Sequence, residues 1–250
     1  MIKGKTIEIK TNSWARSENR FIGFIDIMGF KDLVARNNEE VLYLMMRRIR
    51  ESTFQNVIIH GVDDPEDGYE SNIYITTYSD SIIVYSKDNS EQCLNSFINA
   101  VSGLTNDLIR NGIPHKGAIA HGLMTLDFKN SIFFGQPLID AYLLHDELAF
   151  YGVVVHATAD DFIRTCGNKY VFEYNCPFKS GTSKHLTILP ELLEPDPLYE
   201  ISYNDCYKAV ENFRQKTSGS LRMYIDRTLQ YLESLKNSQK EFITDKQLGG

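Results

Sequence analysis

The sequence predicts an α+β protein in which helices pack against a mainly antiparallel sheet. Three observations lead there. Short β-rich runs alternate with longer amphipathic runs in the order β-α-β-β-α-β, followed by a later α-β extension and C-terminal helices. Residues 72–86 are β-rich throughout except at Ser79 and Asp80, the pattern of a hairpin with Asp80 at its tip. Hydrophobic residues make up 42% and charged residues 24% of the 250, the balance of a chain that buries a core.

Taken in order, residues 1–19 are polar and mixed and carry the only tryptophan, Trp14; they read as an arm that packs on the domain or on a partner. Residues 21–26 are a short apolar run ending in Asp26, a buried strand that the chain leaves through Gly29, Lys31 and Asp32. Val41, Leu44, Met45 and Ile49 recur at helical spacing over 37–50, and Asn37 stands three residues before Glu40, close to a capping box. The acidic stretch 61–71 is a solvated loop. Cys93, Leu94, Phe97, Ile98, Val101, Leu104, Thr105 and Leu108 line one face of a helix over 90–110, ended by Asn111 and Gly112. A strand over 115–124 follows, then a turn over 132–137 that leads into a helix over 138–150. Residues 152–156 read as a strand, 157–166 as a helix, and 170–174 with 185–189 as a closing antiparallel pair. Pro190, Pro195 and Pro197 mark a boundary, beyond which 205–213 and 220–235 are amphipathic helices. The organisation expected is an arm (1–19), a central domain (20–192) and a helical extension (198–250).

Lys and Arg number 26 against 33 Asp and Glu, a net charge of −7 that disfavours a nucleic-acid-coating role. Cys93, Cys166, Cys176 and Cys206 form no CxxC pair, so free thiols in a reducing compartment are expected rather than a disulfide scaffold or zinc site. With no apolar leader and no run near the roughly 20 residues that cross a bilayer, the expectation is a cytoplasmic protein without a membrane partner.

The chemistry-bearing feature is a pair of strand-end carboxylates. In a split β-α-β arrangement the end of the first strand lies beside the following hairpin, so Asp26 and Asp80 converge at one sheet edge. Two carboxylates that close repel each other and titrate up. A divalent cation removes the conflict, because Mg²⁺ is held by one or two carboxylates together with substrate phosphates. Singly, each residue has a plainer reading, Asp26 as a helix N-cap and Asp80 as a turn residue. The histidines share no ligand spacing and read as packed or solvated.

Residues 24–30, F-I-D-I-M-G-F, resemble the F-x-D-I-x-G-F segment of class III nucleotide cyclases. The S-D-S of 79–81 stands where those enzymes carry their second metal-binding aspartate. Residues 112–118, G-I-P-H-K-G-A, are similar to the strand after their long helix. Phe134 and Gly135 leading to Ile139 and Asp140, then G-V-V-V-H over 152–156, resemble their later Y-G-x-x-V-N…G-I-x-V stretch. The likeness runs in order over about residues 20–190. It implies a ferredoxin-like βαββαβ core and a head-to-tail homodimer with active sites at the interface. It also implies two Mg²⁺ or Mn²⁺ ions held by Asp26, Asp80 and the backbone carbonyl of Ile27. The ribose 3′-hydroxyl attacks the α-phosphorus and pyrophosphate leaves. In such a phosphate site Gly29, with Phe30 after it, would let the backbone approach the triphosphate.

The departures bear on the substrate. Adenylate cyclases carry Lys, and guanylate cyclases Glu, four residues before the second aspartate, where this chain has Thr76; the partner position is Ile132. By two-residue alternation Tyr74 and Tyr78 share a side with Thr76 and Asp80, and a ring there shortens a base pocket. With S-D-S and the A-Y-L-L of 141–144, the pattern looks like the pyrimidine cyclases of Pycsar anti-phage systems. Those make cyclic UMP or cyclic CMP, which activates a separate effector. The arginine that the family places on its later helix is missing, and Lys116, Lys179 and Lys184 are the cations available in its stead. A divergent adenylate cyclase and a non-catalytic nucleotide-binding dimer are the alternatives.

Overall fold

A computed structural model describes residues 13–61, 70–190 and 199–248. The acidic loop, the Pro195–Pro197 boundary and most of the N-terminal arm lie outside these. Among the described residues one eight-stranded sheet runs in the order β2-β3-β1-β4-β6-β8-β7, with β5 paired to the far end of β4. The strands are β1 (Ser17–Ile27), β2 (Ile73–Tyr78), β3 (Ser81–Ser86), β4 (His115–Asp127), β5 (Ile132–Gly135), β6 (Val153–Val155), β7 (Val171–Phe178) and β8 (Gly181–Ile188). All pairings are antiparallel except β4 with β6. The helices are α1 (Phe30–Arg36), α2 (Glu39–Gly61), α3 (Glu91–Arg110), α4 (Gln136–Glu147), α5 (Ala157–Cys166), α6 (Tyr199–Asn212) and α7 (Ser220–Leu248).

Strand alternation divides β1 between two cores. Phe21, Gly23, Ile25 and Ile27 face α3, where the Phe97 ring lies 6.0 Å from that of Phe21. Gly23 leaves room there, since a methyl group at that position would meet the Phe97 ring at 3.3 Å. Ile22, Phe24 and Asp26 point to the other face. There a smaller cluster gathers Trp14, Ile22, Tyr85, Met124 and Leu126, and α4 covers Phe24.

Several elements extend past their sequence boundaries, for identifiable reasons. β1 starts at Ser17, because residues 17–20 pair with Gly122–Thr125 of the long β4; that part of the expected arm is strand. Trp14 packs on the domain, its indole donating to the Ser71 carbonyl (2.9 Å) beneath the buried Arg20 guanidinium. α2 continues to Gly61 because Ile49, Thr53, Asn56 and Val57 are buried at helical spacing. Its apolar stripe is interrupted by polar residues, and Ser52 and Asn56 are bonded to Asp107 of α3 (2.5 and 3.3 Å). The expected turn over 132–137 is instead β5, and the helix after it stops at Glu147, since Leu148 bridges to Phe178. β7 tolerates Pro177 because it is the edge strand of the sheet. The segment 179–184 is therefore not a loop but the turn and start of β8.

α6 and α7 close the β8–β7 end. Ile225, Leu229, Tyr231 and Leu232 are buried in the same core as β1 and α3. The Tyr231 hydroxyl donates to that of Thr187 (2.9 Å), and the Thr228 hydroxyl accepts the Tyr151 amide (2.8 Å). The helical extension is part of the domain's packing. All four cysteines are free, three of them buried, and among the described residues no helix is long and apolar enough to cross a membrane.

Candidate active site

Asp26 is brought to Asp80 by the backbone. β1 pairs with β3 so that Asp26 lies opposite Ser81, and the β2–β3 hairpin turns through Ser79 and Asp80 alone. Ser79 holds a left-handed φ of 55°, a conformation that costs a non-glycine residue energy and recurs at functional turns. The hairpin tip is tied down by the Ile27 amide, which donates to the Asp80 carbonyl at 2.9 Å. One residue on, the Met28 amide donates to Pro114 (2.8 Å), and Gly29, at φ 77°, turns the chain into α1. The Ile27 side chain is buried, so only its backbone faces this edge, and half-buried Phe30 packs back on the core.

The two carboxylates conflict, as their convergence requires. Burial, then the charge of Asp80, pushes Asp26 up to about 6, while Lys116 pulls it down and Asp146 adds to the rise. Among the described residues no set of three His, Cys, Asp or Glu side chains gathers as a metal cage. The donors on offer are the hard oxygens of two carboxylates. That suits an ion which takes its remaining ligands from water and phosphate, as Mg²⁺ does.

A cationic pair stands beside them. Lys116 is opposite Asp26 in the β1–β4 register and only 4% exposed. Its ammonium donates to the main-chain carbonyl of Asp146 (3.2 Å) and lies 3.9 Å from that carboxylate. Lys179, at the β7–β8 turn, donates to the other carboxylate oxygen of Asp146 at 2.9 Å. Burial lowers the Lys116 pKa, and the Lys179 hydrogen bond lowers that of Asp146. α4 delivers Asp146 by laying Tyr142 and His145 on the Phe24 ring, 5.4 and 4.6 Å between centroids. Burial pushes His145 down to about 4, so the ring is neutral at physiological pH. Lys184 is placed elsewhere: it pairs with Glu173 (2.5 Å), which also holds Arg164 (2.8 Å), in a surface ion cluster.

Asp146 carries no sequence signal, whereas His145, read with the other histidines as packed or solvated, is packed on Phe24. A helix-terminal H-D-E run carries no periodic or motif signal, and its relation to Lys116 and Lys179 exists only once α4 crosses the sheet. Of the residues expected to shape a base pocket, Tyr74 is taken up in packing, 4.9 Å from Phe128 and 6.1 Å from Tyr85. Tyr78, one residue before the hairpin tip, is 81% exposed, and Thr76 is half-buried on the same strand face. Behind the strand end a groove of about 710 Å³ is lined by Met28, Gly29, Leu33, Leu44, Met45 and Tyr151; it includes neither aspartate.

No protein-family model and no curated protein matches the sequence. Solved structures do match. The catalytic core of a rhodopsin-guanylyl cyclase with converted specificity, in complex with ATPαS, superposes with a TM-score of 0.53 at 11% identity over 69% of this chain and 96% of its own. The GTP complex of the guanylate cyclase domain of RhGC from Catenaria anguillulae gives 0.51 at 11% identity, over 70% and 99%. The fold is that of the class III cyclase domain. A bacterial light-regulated adenylyl cyclase is similar as well, at 0.50 and 10% identity, over 76% of this chain and all of that one. The cyclase fold thus takes up about seven-tenths of the chain in the first two comparisons. It sets Asp26 and Asp80 at the end of β1 and at the adjoining hairpin tip.

Proposed function

We propose that this protein is a metal-dependent nucleotide cyclase that converts a pyrimidine nucleoside triphosphate, UTP or CTP, to its 3′,5′-cyclic monophosphate and pyrophosphate. Fold alone does not carry function. The observation that does is the Asp26–Asp80 pair, whose backbones are joined by the Ile27–Asp80 hydrogen bond and in which burial, then the Asp80 charge, pushes Asp26 up to about 6. A decayed homologue has no use for that electrostatic cost. Asp26, Asp80 and the Ile27 carbonyl would hold two Mg²⁺ or Mn²⁺ ions, which would supply charge neutralisation on the triphosphate and at the attacking oxygen. Lys116 and Lys179, which meet at Asp146 beside Asp26, would take the role of the missing arginine on the phosphates. Gly29 keeps the backbone open: a methyl group there meets nothing within 4 Å, although its φ of 77° disfavours a side chain. The ribose 3′-oxygen attacks in line, and alignment by these groups supplies most of the rate.

The pyrimidine reading rests on Thr76 and Ile132 at the two purine-reading positions and on the exposed Tyr78 ring beside Asp80. A head-to-tail homodimer is supported by exposed apolar side chains. Leu123, Ile132 and Phe134 lie on one side of the β4–β5 ribbon, and Ile139, Tyr142 and Leu143 on α4, each at least half exposed. By resemblance to the Pycsar enzymes, the product signals to a separate effector in anti-phage defence. The protein incubated with Mn²⁺ and each of ATP, GTP, CTP and UTP, with products separated by mass, tests the reading. Cyclic UMP or cyclic CMP is expected, and Asp26→Ala or Asp80→Ala abolishes it. Cyclic AMP as the product overturns the base assignment, and substantial turnover by either variant overturns the metal assignment.

A further inference from the structure

We propose that Asp146 is a resident counter-anion that occupies the Lys116–Lys179 subsite until a polyphosphate displaces it. The inference rests on the cyclase reading for the identity of that polyphosphate, but the displacement itself is a property of the three side chains. The two lysines are held by different atoms of Asp146. Lys116 is anchored by the main-chain carbonyl (3.2 Å) and has its side chain only 6% exposed, so its place does not depend on the carboxylate. Lys179 is held by the carboxylate itself (2.9 Å). That pair is open to water, 46% and 57% exposed, and exposed ion pairs hold weakly. A buried cation with spare donors and a partly exposed cation, joined by one displaceable carboxylate, form an anion site with its own stopper. A phosphate brings more charge and more acceptor oxygens than Asp146 and wins both lysines. Released from Lys179, the carboxylate swings to solvent, while the carbonyl keeps Lys116 beside Asp26.

The test is calorimetric binding of inorganic tripolyphosphate, with Mg²⁺ present, to the full-length chain and to Asp146→Asn, Lys179→Ala and the double variant, each shown to be folded by circular dichroism. Asp146→Asn removes the competing anion and keeps the main-chain carbonyl. It is expected to tighten binding about two- to fivefold at low salt, fading as salt rises. Lys179→Ala weakens binding, and adding it to Asp146→Asn erases the gain. Equal or weaker binding by Asp146→Asn overturns the proposal, as does a gain that survives Lys179→Ala, or no binding by any of the four proteins. Because no turnover is needed, the two readings fail separately. The expected pattern with no cyclic product leaves the subsite and removes the cyclase, whereas turnover without the pattern does the reverse.

Discussion

Replacing Asp26 by Asn should stabilise the metal-free protein while destroying its activity. The carboxylate is half-buried, and no hydrogen bond among the described residues offsets that burial; Asp80 adds its repulsion, and together they raise the pKa from 3.8 to about 6. A raised carboxylate pKa means that the folded state binds the proton more tightly than the unfolded chain. Asp26 therefore costs nothing below about pH 4, and stability falls as pH rises through about 6. A rise of that size corresponds to roughly 3 kcal/mol at full value. Partial exposure and solvent screening reduce this to about 1–2 kcal/mol, or about 2–8 °C in Tm for a chain of this size. Thermal unfolding can be followed by the fluorescence of the sole tryptophan, the buried Trp14, in EDTA at pH 7.5 and again near pH 4. The variant should melt higher than the natural protein at pH 7.5 and equal to it near pH 4. A variant no more stable at pH 7.5, or one equally stabilised at both, would refute the carboxylate conflict from which the metal site is argued.

Saturating Mn²⁺ should raise the Tm of the natural protein and leave Asp26→Ala and Asp80→Ala unmoved; about 2.7 kcal/mol is expected at a hundredfold excess over Kd. Below about pH 6, where Asp26 takes up its proton, that gain should shrink, and a titration of Tm against pH reads it directly. Phe134→Glu, placing a charge on a ring that is 59% exposed, should convert a dimer to a monomer in light scattering and remove turnover with it. Gly117→Ala should cost about 1–3 kcal/mol in chemical denaturation, because the new methyl group falls 2.6 Å from the Phe24 carbonyl and forces β4 from β1 next to Asp26 and Lys116.

The sequence by itself determined the α+β class, the hairpin that carries Asp80, the long helix over 90–110 and the strand that carries Asp26. Each is a local property: two-residue or 3.6-residue periodicity, or a turn flanked by β-formers. It also determined which carboxylates to examine, since Asp26 and Asp80 stand at adjoining strand ends. Boundaries were less legible where burial rather than pattern sets them. The second half of α2 hides its stripe behind Thr53 and Asn56, β5 is too short to show alternation, and Pro177 disguises an edge strand. Only the tertiary structure decided the cationic side of the site. Lys116 and Asp146 are thirty residues apart, and Asp146 and Lys179 thirty-three, with no periodicity to connect them. Their meeting depends on the angle at which α4 crosses Phe24 and on the turn after β7. Lys184 shows the same limit from the other direction. Five residues from Lys179 in the chain, it reaches Glu173 instead, because strand pairing, not sequence distance, sets which charges meet.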